Sequence, residues 1–343
     1  MKRVWNRVII DGIGGMSIGV FATLILGTIL AEIAIFVPGT AGSYMTMIAN
    51  VLKTMTGAGI GVAMAVKLEA IPLSAVSGGL VGMLGAFPLL SAPMEYGEPG
   101  DLLCAFVCAF LALNIGGLVC GRTKADIFLI PVVTIGSGAV LAFFFGPYSL
   151  RFTRYLGHLV NLGMEQSPII MSIIVGVLMG MLLTFPVYSG WIAVAFHVGG
   201  LAGGAAVIGG CCQMVGFAVM SFRENGVTGL FSQGIGTSML QMPNIIRKPT
   251  IWLPPIIASA LLAPVGTVLL EMKCTASGAG MGSCALVGQV ATYHAMVGQN
   301  GIALTLLKIF GMHFLMPAIV TMLVAEGMRR MNLIKTGDMA IRW

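Results

Sequence analysis

Long apolar runs dominate this sequence, and short polar segments separate them. We read the chain in windows of about twenty residues, the length of one membrane crossing. Apolar runs lie near 13–37, 52–66, 69–91, 102–120, 127–146, 168–187, 200–221, 250–271 and 302–327. Each run predicts a membrane-spanning helix.

The segment 147–167 interrupts these runs. It carries Arg151, Arg154, His158 and Glu165 with apolar residues between them, a pattern typical of an amphipathic helix at a membrane interface. We therefore predict a crossover at 147–167 between an N-terminal membrane half, 1–146, and a C-terminal half, 168–328. A tail at 329–343 follows.

Composition strengthens the membrane prediction. Of 343 residues, 57% are hydrophobic and 9% are charged, and the mean hydropathy is +0.99. A soluble domain carries roughly a quarter charged residues, so we expect an all-α polytopic membrane protein with about ten membrane segments at most.

The charges and cysteines exclude several functions. The net charge of +6 comes from 18 Lys and Arg residues scattered in ones and twos, without the basic face that nucleic-acid binding requires. No catalytic triad or zinc-ligand spacing occurs, so we predict no catalytic residue, metal or cofactor. The seven cysteines suit apolar packing; Cys274 and Cys284 are the one pair that could form a disulfide.

The distribution of cations predicts the orientation. The first apolar run is longer than the core of a secretory signal. Cations precede that run, separate the fourth and fifth runs, and follow the last: Lys2, Arg3, Arg7, Arg122, Lys124, Arg329 and Arg330. The loop 93–101 is acidic. Because cations concentrate on the cytoplasmic side, we expect both termini in the cytoplasm.

Glycine is the second compositional signal, with 48 residues. Many glycines fall at small-x-x-x-small spacing, as Gly15 and Gly19 do, and Gly199 and Gly203. This spacing lets membrane helices approach closely. Packing does not explain the glycines that cluster among amides and hydroxyls in two tracts, 228–247 and 274–300.

The two tracts share an internal repeat. Residues 234–240 read GIGTSML and residues 280–286 read GMGSCAL. Non-helical backbone at membrane depth survives only where it is buried in protein or lines a wet cavity, so a duplicated tract predicts two re-entrant hairpins facing one central site. The alternative is two polar loops outside the membrane that share turn residues.

The polar side chains of these tracts suit a neutral solute. Amides and hydroxyls both donate and accept hydrogen bonds, as the hydroxyls of a sugar or polyol do. An anionic solute would need cations, and a metal ion would need carboxylates. The candidate binding residues here are Gln233, Thr237, Ser238, Gln241, Asn244, Ser283, Gln289, Gln299 and Asn300.

Histidines in apolar runs are further candidates, since an ionisable group in a membrane is costly and usually functional. His197 either lines the solute path or is a packing histidine. His313 and Lys308 share the last run but are five residues apart, so they are expected to face different ways on a helix.

Four stretches resemble a known family: GCCQMVGF (210–217), GIGTSMLQMPNI (234–245), IWLPPIIAS (251–259) and GMGSCALVGQ (280–289). They are similar to the membrane IIC components of the bacterial phosphotransferase system, in the branch that includes the perfringolysin-regulator-like proteins. The resemblance implies a homodimer in the bacterial inner membrane, with an N-terminal dimerisation half. It also implies a C-terminal half whose two re-entrant hairpins enclose one sugar, and it adds Gln213, in the first stretch, to the candidate residues.

The chain departs from the better-known members at one motif. Their second hairpin carries a glutamate followed by proline, with a histidine upstream; here GMGSCALVGQ replaces the Glu-Pro, and His197 matches the histidine by position only. The sequence contains no IIA or IIB domain, so phosphoryl transfer would need separate IIA and IIB proteins. A solute sensor without net transport and a phosphorylation-independent facilitator are the alternatives.

Overall fold

The protein is almost entirely helical. A computed structural model describes residues 11–88, 94–121, 125–164 and 166–341, and helix accounts for 82%. In those ranges, strand-like pairing is limited to an isolated bridge between Gly200 and Cys274. The all-α prediction is confirmed. The chain divides into two compact units, Met1–Phe152 and Thr153–Trp343.

The first unit is a set of apolar helices joined by short turns. Asp101 caps one helix by accepting a hydrogen bond from the Cys104 amide at 3.0 Å. The helices are α1 Asp11–Ile35, α2 Thr40–Thr54, α3 Thr56–Lys67, α4 Pro72–Ala86, α5 Leu102–Gly117 and α6 Asp126–Met164, which continues into the second unit.

Glycines let these helices touch backbone to backbone. A methyl group added to Gly19 of α1 would lie 2.5 Å from the Gly59 carbonyl oxygen of α3, a distance that no real side chain tolerates. The close approach predicted from the Gly15 and Gly19 spacing is therefore present.

The second unit is built around one buried helix, α9. Nearly every residue of α9 is buried, and α7 runs parallel to it while α12 runs antiparallel. The helices are α7 Pro168–Thr184, α8 Ser189–Ala195, α9 Gly200–Met220, α10 Phe222–Phe231, α11 Met242–Arg247, α12 Pro249–Leu269, α13 Ala276–Ala279, α14 Val287–Ile309 and α15 Met316–Arg330.

The helices agree with most of the predicted runs. Among the described residues, five helical segments are long and apolar enough to cross a membrane, where the segment Cys284–Arg330, which contains α14 and α15, counts as one; the number is six if α2 and α3, bent by 55°, are counted as one span. Three shorter apolar helices, α4, α5 and α7, accompany them. The last predicted run begins at 302, beside a break in α14 at Gly301, whose φ is 71° and ψ is 168°.

Two features differ from the predictions. Residues 40–54 are helical although no run was predicted there. None of the seven cysteines forms a disulfide, so Cys274 and Cys284 are not paired. The helix α6 passes through Pro147 without ending, and the crossover at 147–167 stays a prediction.

Several residues behind the orientation and crossover predictions lie outside the described residues. They are Lys2, Arg3, Arg7, Arg122, Lys124 and Glu165.

Candidate functional site

Two helix-turn-helix segments flank α9 and contain the repeated glycine tracts. Hairpin 1 (222–247) consists of α10, a π turn over Ser232–Gly236, extended Thr237, a 3-10 turn over Ser238–Gln241, and α11. Hairpin 2 (276–300) consists of α13, a turn over 280–286, and the first part of α14. The turn of hairpin 2 has left-handed backbone at Gly282, Ala285 and Leu286. The two repeats therefore both adopt non-helical backbone.

The turns of the two hairpins contact each other beside the middle of α9. The Ser283 hydroxyl in hairpin 2 donates to the Gly234 carbonyl in hairpin 1 at 2.6 Å. A methyl group on Gly210, halfway along α9, would lie 2.7 Å from the Gly282 Cα. Hairpin 1 follows the C-terminal end of α9, while hairpin 2 begins beside its N-terminal end, where Cys274 pairs with Gly200. The repeats are thus brought together from opposite ends of one helix.

A polar cluster surrounds the turn of hairpin 1. The Gln213 side-chain oxygen accepts from Trp252 Nε1 at 2.8 Å and from the Thr184 hydroxyl at 3.3 Å. The hydroxyls of Thr184 and Ser238 are 2.8 Å apart. Gln213 and Ser238 are fully buried, and Gln213 Nε2 has no hydrogen-bond partner among the described residues. An amide donor is therefore left free next to the turn.

A second polar group lies beside the turn of hairpin 2. Gln289 Nε2 is 3.3 Å from the Cys211 sulfur and 3.3 Å from His313 Nδ1. Gln289 Oε1 and His313 Nε2 are buried without a hydrogen-bond partner in the described part of the chain. The sequence analysis named His313 only as an ionisable group in an apolar run and did not single out Thr184 or Trp252, because their partners Gln289, Ser238 and Gln213 are distant in the sequence. The one available signal was that His313 is ionisable within an apolar run.

Amides of hairpin 1 hold the C-terminal tail (331–341). Gln233 accepts from Gln241 Nε2 at 2.8 Å, and the same nitrogen donates to the Met339 carbonyl at 3.0 Å. Asn244 donates to Gln241 at 2.9 Å and to the Ala340 carbonyl at 3.0 Å. In this conformation the hydrogen-bonding capacity of Gln241 and Asn244 is thus directed at the tail.

Thr237 lies in the turn of hairpin 1, where it accepts from the Met239 amide at 3.2 Å. The other predicted residues lie apart from the contact between the hairpins. His197 is exposed at a turn with a φ of 53°. Gln299 is exposed and accepts from Lys273 at 3.4 Å, and Asn300 adjoins it at the far end of hairpin 2. The structure therefore places Gln213, Ser238, Ser283 and Gln289 beside the contacting turns, and it places Gln233, Gln241 and Asn244 in the group that holds the tail.

A cavity of about 340 Å³ lies elsewhere, at the N-terminal ends of α7 and α9. Its lining includes Pro168, Leu201, Thr267, Glu271 and Lys273. It does not coincide with the hairpin turns. In the described ranges, no three His, Cys, Asp or Glu side chains are grouped to hold a metal ion.

Charged side chains cluster at the C-terminal end of α9. Arg329 donates to the Met220 carbonyl at 2.5 Å and lies 3.4 Å from Glu326 and 4.0 Å from Glu224. Nearby, Lys248 forms an ion pair with Asp338 of the tail. This end of the unit is charged, whereas the contact between the hairpins involves neutral groups.

Helices that are long and apolar enough to cross a membrane indicate a multi-pass membrane protein. Residues 10–341 match the family described as phosphotransferase system, EIIC. The match covers almost the whole chain, so the chain belongs to this family and is a membrane component of a phosphotransferase transport system. Comparisons with curated proteins and with solved structures give no match.

Proposed function

We propose that this chain transports a neutral sugar or polyol by alternating access, with the solute bound between the turns of hairpins 1 and 2 near the middle of the membrane. The observation that carries the proposal is the contact between the two turns, Ser283 to Gly234, beside the middle of α9. In this account the chain has about ten membrane segments, and both hairpins are re-entrant.

The length of α9 supports the depth of the site. A helix of 21 residues is about 30 Å long, the thickness of the hydrocarbon core. Gly210 lies at its midpoint, and the turn of hairpin 2 packs against it. Non-helical backbone at that depth needs burial in protein, and Ser283, Gly234 and Gly282 are all buried. Two polar loops outside the membrane would not need such burial.

The side chains at the turns support a neutral solute. Those that hydrogen-bond there are Thr184, Gln213, Ser238, Trp252, Ser283, Gln289 and His313, and none is Asp, Glu, Lys or Arg. Gln213 contributes a free donor and Gln289 a free acceptor, and the hydroxyl groups of a solute can satisfy each of them. Gln241 and Asn244 would reach a solute only after the tail leaves them. The roles predicted for His197, Gln299 and Asn300 stay predictions.

The charged end of the second unit supports a cytoplasmic C-terminus. Arg223, Lys248, Arg329 and Arg330 gather there, and cations favour the cytoplasmic side. In the proposal the bacterial inner membrane holds a homodimer formed through the N-terminal half. A separate IIB protein docks on the cytoplasmic face and phosphorylates the bound sugar. This chain would then position the sugar hydroxyl for attack on the phosphoryl group carried by IIB.

A solute sensor is the second candidate. Hairpin 2 lacks the Glu-Pro motif of the better-known members, and the tail is bonded to the amides of hairpin 1, which together favour a protein that binds a solute without passing it across. The perfringolysin-regulator-like branch stays a prediction.

Uptake into proteoliposomes separates these functions. Labelled hexoses and hexitols are supplied with and without phosphoenolpyruvate and an extract containing IIA and IIB. The proposal predicts that uptake requires both phosphoenolpyruvate and the extract and that it yields a phosphorylated solute. Uptake without phosphate would identify a facilitator, and solute binding without uptake a sensor.

A matched pair of variants tests the site. Gln213→Ala should reduce uptake at least tenfold, because it removes the amide that bonds Trp252 and Thr184 and offers a free donor. Gln166→Ala is the control: Gln166 is exposed just after the end of α6, and its side chain donates to the Leu162 carbonyl of that helix at 3.3 Å. Equal uptake by the two variants would mean that the site lies elsewhere.

A further inference from the structure

His313 is a fully buried histidine within a π-helical segment. Its exposed fraction is 0%, and the π segment covers Phe310–Leu315, between α14 and α15. π-helical segments are rare in proteins as a whole, because the extra residue in the turn costs stability. Those that occur are often found at functional sites, where the extra residue changes the direction of a side chain. Here the re-aimed side chain faces Gln289 of hairpin 2, at 3.3 Å.

The contact with Gln289 fixes the hydrogen-bonding character of the pair. If the amide nitrogen of Gln289 donates to His313 Nδ1, the imidazole proton lies on Nε2, so the pair is left with a donor, Nε2–H, and an acceptor, Gln289 Oε1. If the amide is rotated, Nδ1–H donates to the amide oxygen, and Nε2 becomes the acceptor while the amide nitrogen is the donor. Either arrangement leaves one donor and one acceptor.

Both of these atoms are buried and unpartnered in the described part of the chain. A buried polar group without a hydrogen bond is destabilising, so two such atoms on adjacent side chains need an explanation. A packing histidine would be bonded at both ring nitrogens or replaced by an apolar residue. The two ring nitrogens point away from each other, so a group bonded to His313 Nε2 lies across the ring from Gln289, and a solute with several hydroxyl groups satisfies Nε2 with one hydroxyl and the free atom of Gln289 with another.

The location of the pair matches the proposed site. Gln289 follows the turn of hairpin 2 directly, and its nitrogen lies 3.3 Å from the sulfur of Cys211. Cys211 adjoins Gly210, against which that turn packs. The pair is therefore at the same depth as the contact between the hairpins.

We propose that His313 Nε2 binds one hydroxyl group of the solute while Gln289, in contact with Nδ1, holds the ring in place, so that His313 selects for that hydroxyl. This inference rests on the proposed function. It assigns a substrate contact to a residue outside both glycine tracts, on the helix that follows hairpin 2.

Two substitutions of His313 each keep a polar group at the position of one ring nitrogen and remove the other. His313→Asn places a side-chain oxygen near the former Nδ1, so the contact with Gln289 is kept while the group at Nε2 is removed. His313→Gln reaches the position of Nε2 and gives up the contact at Nδ1. A structural role needs the first atom, and solute binding needs the second.

The assay measures affinity for a set of solutes. D-Glucose, D-galactose, D-mannose, N-acetyl-D-glucosamine and D-mannitol are screened by thermal shift on the purified protein, and the solute with the largest shift is compared with its monodeoxy analogues. We expect removal of one particular hydroxyl to weaken binding to the native protein roughly ten- to a hundredfold. His313→Asn should weaken binding of the parent solute by a similar factor and abolish the discrimination at that hydroxyl alone. His313→Gln should keep that discrimination in part.

Other outcomes overturn the inference. If His313→Asn binds every analogue as the native protein does, His313 does not contact the solute. If it weakens all analogues equally and discrimination persists, His313 acts on packing only. Should His313→Asn not fold, loss of discrimination in His313→Gln would contradict the proposal. If the native protein neither binds nor takes up any solute of the set, the proposed function fails, and the inference fails with it. If the native protein takes up a solute and the His313 variants bind it and its analogues as the native protein does, only the inference is refuted.

Discussion

The packing of hairpin 2 on α9 predicts that Gly210 cannot be enlarged. In Gly210→Ala the new methyl group would lie 2.7 Å from the Gly282 Cα, whereas two carbon atoms in contact are about 3.5–4.0 Å apart. The turn of hairpin 2 must therefore move away by about 1 Å. Gly282 cannot absorb the clash locally, because both contacting atoms belong to the backbone.

The cost has two parts. Overpacking of a buried contact destabilises by about 1–3 kcal/mol. A shift of about 1 Å would also stretch the 2.6 Å hydrogen bond from Ser283 to Gly234 beyond its useful range and remove another 0.5–1.5 kcal/mol, roughly. Alanine recovers about 1 kcal/mol as the better helix former. The net loss is about 0.5–3.5 kcal/mol, or roughly 1–14 °C in Tm for a unit of this size.

Thermal unfolding of the purified protein in detergent measures this loss. Gly298→Ala is the matched control, since the structure has no atom within 4 Å of a methyl group at that position of α14. The control should be neutral or stabilising by about 0.5–1 kcal/mol. If Gly210→Ala melts at or above the temperature of the control, hairpin 2 does not pack on α9 as described.

Three further predictions concern the charged end of the second unit and a helix cap in the first. Asn225→Ala removes two hydrogen bonds to the tail, at 2.9 and 2.8 Å, so trypsin should cut after Lys335 roughly tenfold faster or more; an unchanged rate would mean that the tail is held otherwise. Arg329→Met leaves the carboxylate of Glu224, 4% exposed, without its partner and should destabilise by about 3–5 kcal/mol in thermal unfolding; adding Glu224→Gln should recover part of this, and no recovery would refute the pairing. Burial raises the pKa of Asp101 despite the hydrogen bond from the Cys104 amide, so the folded state binds the proton more tightly and stability falls as pH rises above about 4. Asp101→Asn, which keeps the capping oxygen, should flatten this fall in Tm, and an identical pH profile would contradict the shift.

The sequence predicted features that depend on local pattern. The apolar run near 200–221 became α9, and the run at 302–327 begins beside the break at Gly301. The repeated glycine tracts both form turns, and Ser283 in one contacts Gly234 in the other; that these turns are re-entrant and face a solute site stays a prediction. The helix at 40–54 was not predicted, because polar residues along its length lower its mean hydropathy.

Features that depend on contacts between residues distant in the sequence were not predicted. His313 was considered only by its spacing from Lys308, but the role proposed for it depends on Gln289, 24 residues earlier, and on a π segment that shifts the helical phase. Gln241 and Asn244 were predicted as solute ligands from their chemistry. Their observed partners include backbone carbonyls of the tail, and the position of a backbone carbonyl cannot be predicted from residue types.

A density map of the protein in lipid nanodiscs tests the central claim most directly, because it shows the lipid belt together with the hairpins. The account predicts that Ser283 and Gly234 lie in contact near the middle of the belt, with solute density between the hairpins when a transported sugar is added. A map that places both turns outside the lipid, or separates them with no cavity between, would contradict it.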